Sequence, residues 1–155
     1  MLSEFELIER YFTRPTAPAG AVALSIGDDC ALLTPGSGMA LAVSTDMLVE
    51  GRHFLPDADP HALGHKSLAV NLSDLAAMGA RPLAFTLALA LPAARAEWLA
   101  PFSTGLLALA DLHGCALVGG DTTKGPLTIC ITVFGELPAG QALRRDAARA
   151  GDDLW

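Results

Sequence analysis

The sequence predicts an α+β domain: a mixed β-sheet with helices on one face. Short apolar segments alternate with two long stretches of helical spacing in the order β-β-β-α-β-α-β-β, after a short leading helix. The connections mix hairpin-like and crossover types. The strands are also apolar beyond strict alternation, so the face without helices needs cover from a partner chain or a further domain. At 155 residues, 52% apolar and 17% charged, the chain suits one domain with a real core and excludes disorder.

Each element has a local reason. Ser3 and Glu6 have capping-box spacing, and Phe5, Leu7, Ile8, Tyr11 and Phe12 give a short amphipathic helix. The prolines of "RPTAPAG" break regularity. "AVALSIGDDCALL" reads as a strand, a Gly-Asp-Asp turn and a second strand; "MALAVSTDMLVEG" is a third, with Ser-Thr-Asp where the apolar pattern stops. "DPHALGHKSLAVNLSDLAAMGA" is a helix opened by Asp59-Pro60 and closed near Gly79. "RPLAFTLALALP" is a buried strand between prolines, and residues 93–112 form a second long helix closed by His113-Gly114. "CALVGGDTTKG" reads as a strand running into a glycine turn, and "PLTICITVFGEL" as a long strand.

Charge and composition exclude several function classes. A net charge of −7 opposes a nucleic-acid phosphate surface. The opening "MLSEFELIER" is acidic and lacks the basic and apolar regions of a signal peptide. The longest apolar run, Leu83 to Leu91, contains Thr86, ends at Pro92 and is too short to span a membrane. Cys30, Cys115 and Cys130 form no CxxC and read as free thiols. The expectation is a cytoplasmic protein with no nucleic-acid or membrane partner.

The chemistry lies in the carboxylates. Asp28 and Asp29 follow Ile26-Gly27, Asp46 follows Ser44-Thr45, Asp121 follows Gly119-Gly120, and Asp74 stands among Leu72, Leu75, Ala76 and Ala77. Each ends or interrupts an apolar segment, beside Gly, Ser or Thr. If they converge, they repel one another unless a cation is present, and Lys66, Arg81 and Lys124 cannot neutralise them all. Magnesium fits, since it takes hard oxygen ligands and bridges carboxylates to phosphates. The bland alternative is that each Asp caps a helix or forms a turn, which suits Asp28, Asp59 and Asp121 singly and Asp74 least. "GGDTTKG" adds free backbone N–H groups for a phosphate but is not a Walker A loop. His61 and His65 have helical spacing but lack the zinc-helix Glu, "DADP" lacks the glycine of a calcium loop, and no G-x-S-x-G exists. His53 is open between substrate contact and surface histidine.

"IGDDCALL", "STDMLVEGRHF", "KSLAVNLSDLAAMGARP" and "LVGGDTTKGPLTI" together resemble thiamine-monophosphate kinase, within the aminoimidazole ribonucleotide synthetase-like superfamily. The resemblance implies ATP-dependent phosphorylation of thiamine monophosphate to thiamine diphosphate, with several Mg2+ ions. It also implies a homodimer whose sheets pair into a barrel. By matching motif, Asp29, Thr45, Asp46, Asp74 and Asp121 would bind metal, with Asp28 and Ser44 as additional ligands. His53 would touch the thiamine phosphate, Gly120 and Asp121 the nucleotide, and Arg145 its phosphates. Family members have two domains, so residues 1–155 would be the N-terminal one. The expected C-terminal domain is absent from this chain, and Asp152 and Asp153 would belong to the junction. The rival readings are another ATP-using member of the superfamily and a non-catalytic nucleotide-binding dimerisation module.

Overall fold

The computed structural model describes residues 4–14 and 20–153; the Ser3 cap and the proline-rich stretch at 15–19 lie outside them. After helix α1 (Glu4–Tyr11) come strands β1 (Val22–Leu24), β2 (Leu32–Leu33) and β3 (Met39–Val49). Then follow α2 (Pro60–Ala77), β4 (Arg81–Leu91), α3 (Ala96–His113), β5 (Ala116–Lys124) and β6 (Thr128–Pro138). The order matches the expectation. β1 and β2 form a small antiparallel hairpin, and the main sheet runs β3-β6-β4-β5. β6 pairs antiparallel with both β3 and β4, and β4 pairs parallel with β5, so the sheet is mixed.

α2 starts where the sequence says it should. Asp59 is the N-cap, its carboxylate accepting the Ala62 N–H at 2.8 Å, and Pro60 supplies a preset first turn. α3 begins later than expected, at Ala96, and ends on Gly114 in the left-handed conformation. Both helices cover one face of the sheet. Leu68, Leu75, Leu99, Phe102 and Leu106 pack there with Ile129, Ile131, Val133, Phe85 and Leu89. On the opposite face Leu41, Val43 and Met47 of β3 stay exposed. Among the described residues no helix is long and apolar enough to cross a membrane.

The two helices cross at a pair of glycines. A Cβ at Gly64 would lie 2.1 Å from the Phe102 carbonyl oxygen, and one at Gly105 equally close, 2.1 Å, to the His61 carbonyl oxygen. Neither backbone can yield without parting the helices.

One strand departs from the sequence reading. The glycines of "GGDTT" are not a turn; β5 runs straight through them to Lys124. Gly120, at φ 149°, presses on β4 so closely that a Cβ would stand 1.9 Å from the Leu87 carbonyl oxygen. An edge strand tolerates this because only one neighbour constrains it, and glycine is the residue that permits close backbone approach.

Glu136 of β6 is buried, 4% exposed, and clamps two elements. It accepts the Gly36 N–H at 2.9 Å, ahead of β3, and pairs with the Arg81 guanidinium at the start of β4. The Gly36 N–H, aided by Arg81, holds its carboxyl below the usual range against the opposing effect of burial.

Two stability predictions follow from these contacts. Gly64→Ala and Gly105→Ala each cost about 1–3 kcal/mol or more through forced overpacking, read as a lowered urea midpoint with unchanged slope. Because the Glu136 pKa is lowered on folding, its contribution is complete above the ordinary carboxylate range and is lost as pH falls through the folded-state value. The melting-temperature gap between wild type and Glu136→Gln is therefore widest near neutral pH and narrows on acidification; a gap independent of pH would contradict this.

Candidate functional site

A cleft of about 600 Å³ lies between the 26–31 segment, α1 and the edge strand β5. Ile8, Phe12, Leu87 and Leu117 give it an apolar side, while Asp28, Asp29, Asp121, Gly119 and Gly120 also line it. The end of α1 is tied to α3 by an Arg14–Asp111 ion pair. Asp28 accepts the Asp29 N–H at 2.8 Å, a local contact that shapes the turn. Asp28 combines this local contact with a place on the cleft wall.

The remaining carboxylates sit elsewhere. Ser44 donates its hydroxyl to Asp74 at 2.6 Å, joining β3 to the last turns of α2. Asp74 is exposed, so its apolar sequence neighbours do not bury it. Strand alternation then sorts the Ser-Thr-Asp run. Ser44 pairs with Val133 and Asp46 with Ile131, both on the helix-covered face. Thr45 points to the other face, where its hydroxyl meets that of Thr132 at 2.9 Å.

The carboxylates therefore form two groups instead of one. Asp46, Ile131, Leu87 and Gly120 make a single row across the sheet, with Asp46 on edge strand β3 and Gly120 on edge strand β5. Three strand spacings separate them, roughly 14 Å. Among the described residues no three His, Cys, Asp or Glu side chains gather closely enough to hold a metal. The donors are all hard oxygens, the chemistry magnesium takes. Two of the three nearby cations are committed elsewhere, Arg81 to Glu136 and Lys66 to the carbonyl of His53 at 2.7 Å.

His53 is exposed on the loop after β3, with Nδ1 accepting the Val49 N–H at 3.0 Å. With Nδ1 engaged by the backbone, Nε2 is the ring nitrogen left to meet a ligand. Arg145 lies beyond β6 in a segment docked on the C-terminal end of α2, where the Leu143 N–H meets the Met78 carbonyl at 3.1 Å. It does not line the β5 cleft. Sequence reasoning missed Asn71, which is fully buried on α2, its Nδ2 donating to the Ser67 carbonyl at 3.0 Å and its Oδ1 without a partner. The available signal was a polar residue one turn before Asp74 inside an apolar helix.

Residues 27–137 match the family of the AIR synthase related protein, N-terminal domain. The chain belongs to that family. It is 54% identical over 152 residues to the thiamine-monophosphate kinase of Salmonella typhimurium, covering 98% of this chain and 47% of that protein. Its fold is similar to the crystal structure of thiamine-monophosphate kinase from Stenotrophomonas maltophilia, with a TM-score of 0.80 and 49% identity over 96% of this chain and 46% of the other. It also resembles AaThiL complexed with AMPPCP and TMP, at a TM-score of 0.69 and 31% identity, covering 75% of this chain and 38% of that one. The chain spans about half the length of the curated relatives it matches.

Cysteine chemistry reports on the cleft. Cys30 is exposed on its wall, whereas Cys115 is buried and its thiol is pushed up to about 12. Iodoacetamide should alkylate Cys30 in the native protein and leave Cys115 intact until denaturant is added, as peptide mass mapping would read. Labelling of Cys115 at the native rate of Cys30 would contradict the packing.

Proposed function

We propose that this domain is the nucleotide- and metal-binding part of a cytoplasmic, ATP-dependent thiamine-monophosphate kinase that makes thiamine diphosphate. The observation that carries the reading is the β5 cleft, which Asp28, Asp29 and Asp121 line together with the side-chain-free Gly119 and Gly120. Relatives similar over nearly the whole chain are thiamine-monophosphate kinases, and AaThiL is complexed with AMPPCP and TMP.

The acceptor in this reaction is itself a phosphate, so transfer depends on in-line placement and on neutralising charge, with little call for a general base. Magnesium, when bound, would supply that neutralisation. The chain's own residues do the placing. Asp121 and Asp29 would hold cations on the β5 side, with Asp28 beside them; Asp46 and Asp74 would do so on the β3 side, with the hydroxyls of Ser44 and Thr45 as further oxygen ligands. Gly120 lets a phosphate approach the backbone. His53 offers Nε2 to an oxygen of the thiamine phosphate, and Lys66 steadies the loop that carries it. Arg145 reaches nucleotide phosphates from the α2 end.

The separation of the two carboxylate groups supports a homodimer. The β3 edge of one subunit beside the β5 edge of its partner would set the strand that carries Asp46 next to the strand that carries Asp121, and closure of the two sheets into a barrel would cover Leu41, Val43 and Met47. A two-fold arrangement makes two such sites and pairs both exposed edges. The second reading, a nucleotide-binding dimerisation module without turnover of its own, would use the same cleft and the same sheet edges.

Calorimetric titration of ATP tests the proposal. Binding should need magnesium and vanish with excess chelator, and Asp74→Asn and Asp121→Asn should each weaken it about tenfold or more while melting like the wild type. Unchanged affinity in both variants would refute the metal assignment. Turnover of thiamine monophosphate by the chain separates the kinase from the module.

A further inference from the structure

Among the described residues two buried side chains carry a polar atom without a partner, Tyr11 on α1 and Asn71 on α2, and Asn71 is one turn from Asp74. Asn71 is 0% exposed, and among the described residues its Oδ1 has no partner. The amide orientation is fixed, because Nδ2 donates to the Ser67 carbonyl at 3.0 Å and an oxygen there would face an oxygen. A buried acceptor left unpaired is costly, so a native one marks a missing water, ion or ligand.

Its place on α2 indicates which. Asp74 is tied to Ser44 and Lys66 to the His53 carbonyl, so α2 runs antiparallel to β3. Leu75 lies over Gly135, whose partner in the sheet is Ala42. One turn back toward the helix start, Asn71 reaches the level of Ser44 and Asp46 on the helix-covered face of β3. Asn71 thus stands on the buried side of α2 one turn before Asp74, at the level of the β3 stretch that carries Ser44 and Asp46.

We infer that Asn71 Oδ1 accepts a hydrogen bond from a water in the inner shell of a magnesium ion held by Asp46 and Asp74. The inference rests on the metal reading given above and adds a residue to it. Magnesium sheds water reluctantly and keeps several molecules when bound to carboxylates, so its site needs neutral acceptors as well as anions. An amide oxygen provides one without adding to the repulsion between carboxylates. Ser67, whose hydroxyl donates to the Leu63 carbonyl at 2.7 Å, and whose own carbonyl takes Nδ2, then serves to aim the amide.

The test uses manganese(II), a paramagnetic ion with the same taste for oxygen ligands, titrated into the full chain with free ion counted by electron paramagnetic resonance. Melting curves with and without magnesium run beside it. Without metal, Asn71→Leu should melt at or above the wild type, since the unpaired acceptor is gone. It should bind manganese about tenfold or more weakly and lose most of the magnesium-dependent rise in melting temperature. Asn71→Asp should melt lower without metal and gain a larger rise with it. Wild-type manganese affinity and an unchanged rise in Asn71→Leu would overturn the inference, the oxygen then serving an ordinary buried water. If Asn71→Leu fails to fold, Asn71→Asp decides, and no enlarged rise overturns it. Asp74→Asn separates the two levels. Weakened binding there alone removes Asn71 from the site, while wild-type binding in both variants removes the metal reading too.

Discussion

The strand order of the main sheet is the constraint on which the placing of the candidate carboxylates depends. Two ionised groups a few ångströms apart in a partly dry site cannot both keep their charge without a cation. Within one chain the problem is relieved by distance. Asp28, Asp29 and Asp121 occupy the β5 side, and Asp46 and Asp74 the β3 side, with β6 and β4 between them. Asp74 stays solvated and takes a hydroxyl from Ser44, so it tolerates an apolar stretch of sequence without being buried.

The rest of the architecture fixes those two groups. Close approach at Gly64 and Gly105 lets α2 and α3 form one thin layer, and the layer presses Leu68, Leu75 and Leu106 onto Ile129, Ile131 and Val133. Rigid packing of that kind holds α2 at one height over β3, which decides where Asn71, Asp74 and Lys66 come down. On the other edge, Gly120 brings β5 hard against β4, where a side chain would collide with the Leu87 carbonyl. Helix packing and strand contact thus set the chemistry from opposite sides of the sheet.

Much of this was legible in the sequence. The Asp59–Pro60 start of α2, the strands on either side of each long helix and the apolar face awaiting cover all follow from local rules of capping and periodicity. Local rules fail where pairing is long-range. Nothing in "LVGGDTTKG" says that its glycines lie inside an edge strand, because the cause is the Leu87 carbonyl on another strand. The division of Ser44 and Asp46 from Thr45 follows from alternation once β3 is known to continue through them. That Asp46 and Gly120 end one row depends on β6 inserting between β3 and β4, which no short motif encodes. Asn71 escaped notice because its significance is a missing partner, visible only once its surroundings are packed.

The central claim is that the two carboxylate groups complete each other across a pair of subunits. Mixing Asp46→Asn protein with Asp121→Asn protein, after subunit exchange, tests it most directly. Each variant alone should bind magnesium-ATP weakly, having one damaged half in every site. In a mixed dimer one site collects both lesions and the other none, so a random mixture should recover about a quarter of the wild-type sites at full affinity. Exchange between dimers with no recovery of binding would show that each site is closed within a single chain, and would contradict the account.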